Sequence, residues 1–328
     1  MNKSLFSFRA IIFPIVVMIL ALLVPSGVSY SYYNPKSHII QPHFHPSAAI
    51  DFHTDSIPDI NVKAITAKAG LLYDQTDNKV VWVKDMNGKF EIASLTKMMT
   101  VLLVMDNINQ GQYSWDSLVK TPKEATFVGG SSVYLRENEV FSVRDLVKSA
   151  LIASGNDAAF TLAVYTAGSE KQFVNLMNWK AAMLGMDSTF YSNSTGMPTY
   201  GYGKDNYSTP HDLLILATEL LKYPEILQYT SEKEDFIYHG VEKTVFKTHN
   251  SLVTHYNADI DGLKTGYTKG AGFCLVASAH RKDHRLIGIM LGVPTSASRD
   301  AMVGDMMSDY YFYLGLGRLG EAEMIPKK

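Results

Sequence analysis

Hydrophobic and polar residues are arranged in two ways along this chain. Residues 67–73 and 80–84 are mostly apolar, β-leaning runs. Asp74-Gln75-Thr76-Asp77-Asn78 joins them with turn formers, so the pattern predicts a hairpin. The spacing then becomes helical. Leu95, Met98, Met99, Leu102 and Met105 predict a helix over 94–108, free of Gly and Pro and closed near Gly111. Ser142-Val143-Arg144-Asp145 reads as a variant capping box opening a helix that runs to Ile152. Helices are predicted over 156–166 and 169–184, the second stopped by Gly185, and another starts at Thr209-Pro210. Strand-like runs return at 259–265, 273–279 and 286–293, and a last helix covers 298–314. Two early strands, a helical middle and three late strands predict an α+β layout. The early and late strands would share one antiparallel sheet with helices covering it.

The N-terminal part has a different pattern. Lys3 and Arg9 precede an apolar stretch at 10–24, and Pro25-Ser26-Gly27-Val28-Ser29 follows. This is the layout of a secretory signal and is short for a membrane span. Residues 1–29 are therefore expected to be a signal peptide cut before Tyr30, or else a retained anchor. Residues 30–58 contain Pro35, Pro42, Pro46 and Pro58 and read as a linker. His38, His43, His45 and His53 fall there without zinc-type spacing, so a tether is expected and no metal site. One globular domain is expected over 59–316, with a short tail at 317–328.

Composition and charge narrow the function. Of 328 residues, 46% are hydrophobic and 19% charged, which excludes whole-chain disorder. The net charge is −2 and like charges do not cluster, so no nucleic-acid partner is expected. The single cysteine, Cys274, makes no internal disulfide and no thiolate metal site. No cofactor is implied.

Three short motifs carry the chemistry. Ser94-Leu95-Thr96-Lys97 opens the first long helix. The i, i+3 spacing puts the lysine amine on the same face as the serine hydroxyl. A hydroxyl needs a base to become a nucleophile, and lysine serves only if its pKa falls. The same chain holds a second such spacing, Ser117-Leu118-Val119-Lys120, between Trp115 and Pro122 in an irregular stretch. Ser94 is preferred because an uninterrupted apolar helix follows it and because it has companions. These are Ser154-Gly155-Asn156, between two helices, and Lys264-Thr265-Gly266 on a strand. The first offers a hydroxyl and an amide in a tight turn. The second offers an ammonium and a hydroxyl for a carboxylate, with a glycine that admits substrate to the backbone.

This ordered set occurs in penicillin-binding proteins and class A β-lactamases. The surrounding residues narrow the match: Ala93 to Thr100, Ser154 to Ala158, Asp261 to Thr268, Ala271-Gly272 and Leu275 to Ala279. They resemble the D-alanyl-D-alanine carboxypeptidases, low-molecular-mass penicillin-binding proteins of the serine peptidase type. The resemblance covers roughly residues 60 to 315. It implies a five-stranded antiparallel sheet flanked by helices, a helical subdomain and an active site between the two. It implies an exported bacterial enzyme of the periplasm or cell envelope that removes the terminal D-alanine from peptidoglycan stem peptides, with β-lactams as covalent inhibitors. Under it Ser94 is the acylated nucleophile and Lys97 the general base, while Ser154 and Asn156 are proton relay and substrate clamp. Lys264, Thr265 and Gly266 bind substrate, and the backbone N–H groups of Ser94 and Tyr267 form the oxyanion hole. Arg299 matches a family arginine near the carboxylate site.

Two departures from the family pattern stand out. Many relatives have a second, β-rich domain and a C-terminal amphipathic anchor, neither of which is recognisable here; peripheral or N-terminal membrane association is left open. Many also have Arg where this chain has His249, before Asn250. Three other readings remain. A DD-endopeptidase would use the same residues. A class A β-lactamase would need a glutamate that residues 190–207 lack. A non-catalytic penicillin-binding scaffold would be expected to have lost part of the motif set.

Overall fold

The computed structural model describes residues 32–34, 37–40, 66–256 and 259–321. The expected signal segment and His43, His45 and His53 lie outside them. Two short strands, β1 (Tyr32–Asn34) and β2 (Ser37–Ile40), pair antiparallel in a unit of their own.

The remaining elements follow in order: β3 (Ala69–Asp74), β4 (Lys79–Lys84), β5 (Phe90–Glu91), a 3-10 turn (Ala93–Leu95) and α1 (Thr96–Asn109). Next come β6 (Leu118–Lys120), a second 3-10 turn (Lys123–Phe127), β7 (Val140–Ser142), α2 (Val143–Leu151), α3 (Asn156–Ala167) and α4 (Glu170–Met183). Then follow β8 (Tyr207–Ser208), α5 (Pro210–Leu220), α6 (Pro224–Thr230), β9 (Glu234–His239), β10 (Glu242–Lys247) and α7 (Ser251–His255). The chain closes with β11 (Ile260–Thr268), β12 (Gly272–Arg281), β13 (His284–Val293) and α8 (Ser296–Tyr313).

The expected sheet is present. Its five strands run in the order β11-β12-β13-β3-β4, every neighbour antiparallel. The first hairpin is therefore a late addition in space: β3 joins the sheet beside β13, pairing Leu72 with Gly288. One face carries α8, whose Met302, Val303, Met306, Met307 and Tyr311 pack with Leu72, Leu275 and Met290. The segment after α8 is fastened to the same sheet, because Arg281 pairs with Asp259 and donates to the carbonyls of Leu316 and Glu321.

Helix α1 lacks a solvent face. Every residue from Thr96 to Met105 is buried. An all-round apolar helix is stable only when protein surrounds it, and α1 contacts α2, α3, α4 and α5. The capping signals read from sequence hold. The hydroxyls of Ser142 and Thr209 accept from the N–H groups three residues on, at 3.0 Å each, and Pro210 opens α5. The hairpin β9–β10 was not expected. Its strands are mostly polar, so period-2 alternation is weak, although Phe236-Ile237-Tyr238 and Thr244-Val245-Phe246 flank the turn at Gly240. Among the described residues no helix is long and apolar enough to cross a membrane.

Candidate active site

Ser94 stands on the 3-10 turn that leads into α1, with Ala93 before it in the left-handed region at φ 45°. Being at the start of a helix, its N–H has no partner within the helix. Two glycines approach it. A Cβ built on Gly266 of β11 would stand 3.2 Å from the Ser94 nitrogen, and one on Gly196 would stand 2.9 Å away. The same Gly196 Cβ would meet the Ala93 carbonyl oxygen at 1.9 Å. Edge strand β11 and the loop at Gly196 thus pack against the serine from two directions, with no room for side chains.

One turn into the helix, Lys97 is fully buried. Its Nζ lies 2.9 Å from Ser94 Oγ, 2.6 Å from Asn156 Oδ1 and 2.7 Å from the Thr195 carbonyl oxygen. Burial lowers its pKa well below the ordinary lysine value; the charge on Lys264 adds to this, and Asp157 opposes it. Lys97 is therefore held toward the neutral amine.

Asn156 arrives at this point because the chain turns sharply before α3. Ser154 is in the left-handed region at φ 58° and buried, and Gly155 follows. The Asn156 amide bridges two segments: Oδ1 accepts from Lys97, and Nδ2 donates to the Gly129 carbonyl at 2.5 Å. Asp157, the next residue, holds the 131–135 segment in place. Its carboxylate accepts from the N–H groups of Val133 and Leu135 and from the Ser132 hydroxyl.

Lys264 and Thr265 are buried on β11, and Lys264 Nζ donates to the Thr265 carbonyl at 2.9 Å. Burial, reinforced by Arg299, pushes the Lys264 ammonium down to about 7. Tyr267 is exposed and stacks on Phe273 with ring centres 4.2 Å apart. Arg299, in the first turn of α8, is buried rather than on the surface, and its guanidinium bonds Asp300 at 2.7 Å. His249 keeps an exposed edge yet lies within reach of these cations. Partial burial, Lys264, Lys97 and Arg299 push it down to about 4, so it is neutral at neutral pH.

The structure therefore brings together Ser94, Lys97 and Asn156 by direct contact, with Gly266 against Ser94. Lys264 and Arg299 adjoin them electrostatically. The rival pair behaves differently. Ser117 Oγ accepts from the Ser114 N–H, and Lys120 is exposed on β6. Three contributors were not predicted from sequence: the Thr195 carbonyl, Gly196 and Asp157. The first two lie in a loop folded around Asn193, whose Oδ1 accepts from the N–H groups of Thr195 and Gly196. The Asn193-Ser194-Thr195-Gly196 turn was a readable signal for that loop. Cys274 is buried and free, its thiol pushed up to about 11 by burial.

A mixed domain of helices and an antiparallel sheet, with a serine and a buried lysine in contact beside the sheet edge, is the arrangement of the penicillin-binding fold class. The chain belongs to the family described as D-alanyl-D-alanine carboxypeptidase, whose match covers residues 55–295. It is 36% identical over 246 residues to D-alanyl-D-alanine carboxypeptidase DacF of Bacillus subtilis (strain 168), covering 75% of this chain and 62% of that protein. It is 30% identical to the D-alanyl-D-alanine endopeptidase of Haemophilus influenzae, covering 74% of this chain and 82% of that one. Among solved structures, cefotaxime-bound penicillin-binding protein D2 of Listeria monocytogenes superposes with a TM-score of 0.67. That pair shares 30% identity over 75% of this chain and 97% of the other. The chain spans about three fifths of the length of the curated carboxypeptidases it matches.

Proposed function

We propose that this chain is an exported serine-type D-Ala-D-Ala carboxypeptidase that trims peptidoglycan stem peptides through an acyl-enzyme on Ser94. The observation that carries the reading is the buried Lys97 amine 2.9 Å from the Ser94 hydroxyl. A neutral amine has two N–H donors and one lone pair. Asn156 Oδ1 and the Thr195 carbonyl take the two donors, which leaves the lone pair to the Ser94 hydroxyl. Lys97 then accepts the serine proton as Ser94 Oγ attacks the penultimate D-alanine carbonyl. The oxyanion that forms is met by the Ser94 N–H at the helix start, with the Tyr267 N–H as its second donor. Lys97 returns the proton to the departing D-alanine amine, and Ser154 relays it. Lys264, Thr265 and Arg299 hold the substrate's terminal carboxylate. Water then hydrolyses the ester. The same attack opens a β-lactam ring, and the leaving amine stays tethered.

A second reading, DD-endopeptidase, is supported by the likeness to the Haemophilus influenzae enzyme across most of that protein. Digestion of purified muropeptides separates the two. Free D-alanine from pentapeptides is the carboxypeptidase result; monomers from cross-linked dimers are the endopeptidase result. A fluorescent penicillin should label Ser94. Failure to form any Ser94 adduct, with no product from either muropeptide, overturns both readings.

A further inference from the structure

His239 is buried at the end of β9 and takes no part in the reaction above. Its ring lies on the inner face of the β9–β10 hairpin and is held at both nitrogens. Nδ1 is 2.8 Å from Glu139 Oε2, and Nε2 is 3.2 Å from the Val133 carbonyl oxygen. A carboxylate and a carbonyl oxygen only accept. A neutral imidazole has one N–H and can make one of these bonds; the doubly protonated ring makes both. Histidine is also the side chain that exchanges a proton between about pH 5 and 8.

The charges around the ring come from several elements. Glu242 of β10 is paired with His239 across the hairpin. Arg136, on the segment before β7, bonds Glu242 at 2.6 Å and stands 3.9 Å from Glu139. Further along the same face of β9, Asp235 pairs with Lys148 of α2 at 3.0 Å. Phe141 of β7 packs edge-on against the imidazole, with ring centres 5.5 Å apart. Asp157 of α3 grips Val133 from the other side, its carboxylate accepting from the Val133 N–H.

These contacts lead to the reacting pair. In the same segment the Ser131 carbonyl accepts from the Asn156 N–H at 2.7 Å, and the Gly129 carbonyl accepts from Asn156 Nδ2. Asn156 Oδ1 in turn accepts from Lys97 Nζ. The hairpin therefore bears on Lys97 through one short stretch, 129–139, and His239 joins hairpin and stretch at two points. Arg136 and Glu242 join them as well, but both side chains are more than half exposed, so solvent weakens that pair.

We infer that His239 is a positioning residue and a proton-dependent latch: its doubly protonated ring fastens β9–β10 to the 129–139 stretch and so holds Asn156 in place against Lys97. When the ring gives up its proton, one nitrogen presents a lone pair to an oxygen, that bond is lost and the stretch loosens. Rising pH thus acts on the site in two opposed ways, favouring the neutral Lys97 amine and opening the latch. The inference rests on the peptidase reading above and describes regulation of that same site.

The test follows acylation of the full chain, unaltered and as His239→Gln, by a fluorescent penicillin from about pH 5 to about pH 9. Both proteins keep Lys97 and Lys264, so the ratio of their rates at each pH cancels the titration of those two groups. The unaltered chain should be about tenfold faster at the acid end, the size expected of one charged hydrogen bond, and the ratio should fall to about one at the alkaline end. A ratio that stays constant with pH, at one or above it, overturns the latch and leaves the peptidase reading standing. A second measurement needs no variant: hydrogen exchange at the Val133 and Leu135 amides of the unaltered chain. Their protection, corrected for the intrinsic pH dependence of exchange, should fall in step with the loss of the His239 ring proton, followed by NMR in the same sample. Protection that does not follow the ring overturns the latch, whether or not His239→Gln folds. No acylation of the unaltered chain at any pH, by a chain that remains folded, overturns the peptidase reading and the positioning role together.

Discussion

Gly196 is where the geometry of the serine is most exposed to a single methyl group. It lies at φ +86°, and an added Cβ would stand 1.9 Å from the Ala93 carbonyl oxygen, 2.3 Å from its carbon and 2.9 Å from the Ser94 nitrogen. Those atoms are backbone, so no side chain can swing aside. Reaching even a 3.0 Å contact requires the two segments to separate by more than 1 Å. Gly196→Ala should therefore cost about 1–2 kcal/mol for the left-handed backbone and about 1–3 kcal/mol for overpacking. That lowers Tm by roughly 4–20 °C in a domain of this size.

The effect on chemistry should be separable from the effect on stability. A displacement of about 1 Å in a catalytic group costs about 100-fold in rate. Gly185 is the control: its φ is +75°, but an added Cβ would meet nothing within 4 Å. Gly185→Ala should show a small loss of Tm and an unchanged rate of acylation by fluorescent penicillin. Gly196→Ala, assayed well below its own Tm, should acylate about 100-fold more slowly. If it acylates at the unaltered rate, the close approach of the 195–197 loop does not position Ser94, and that part of the reasoning is wrong.

Three further outcomes follow from the same geometry. Ser94→Ala should abolish penicillin labelling while Ser117→Ala keeps it, because Lys120 is exposed and cannot act as a desolvated base; loss in both would mean the wrong serine was chosen. Lys97→Arg should acylate at background rate at neutral pH, since a guanidinium does not deprotonate there; near-normal labelling would remove Lys97 from the base role. Lys264→Met should narrow its stability advantage over the unaltered chain as pH rises. Burial holds Lys264 at about 7 in the folded state, against about 10.4 unfolded. Below pH 7 the folded chain bears the full penalty of a buried ammonium. Between these values the unfolded chain binds more protons, so the unaltered chain gains stability with pH. Parallel Tm curves for the two proteins from pH 6 to 10 would contradict this.

How much of this was legible in the sequence depended on the range of the interactions. Local signals held: the caps at Ser142 and Thr209, the hairpin turning at residues 74–78, and the serine–lysine spacing at a helix start. The pairing of β3 with β13 was legible only as a layout, because register is fixed by partners more than 200 residues apart in the chain. The β9–β10 hairpin stayed hidden because Phe236, Tyr238 and Val245 lie on its outward positions, so apolar and polar residues do not alternate cleanly. The site divides the same way. Ser94 and Lys97 are one helical turn apart, so their meeting follows from helix geometry. Thr195 is brought to Lys97 by tertiary folding alone, and a carbonyl has no residue-type signature.

The motif reading placed Lys97 beside Ser94 but held only half of what changes its amine. Spacing places an amine beside a hydroxyl; it does not deprotonate it. The Lys97 pKa is lowered because α1 is enclosed on all sides and, beyond that, because a second buried lysine stands on β11. That second lysine is itself lowered to about 7 by burial, and Arg299 from α8 adds to the shift. Arg299 is in turn fixed by Asp300, which also accepts from the Ser251 hydroxyl on α7. The lowered pKa of Lys97 is therefore set first by burial and then by charges that run from the sheet to the last helix. Each member is ordinary by itself: Ser117 and Lys120 have the same spacing, and an exposed lysine in the first turn of another helix would remain charged. What distinguishes Ser94 and Lys97 is burial among cations, a property of packing. The helical layer and the sheet must come together around Lys97 before its amine is desolvated beside the Ser94 hydroxyl.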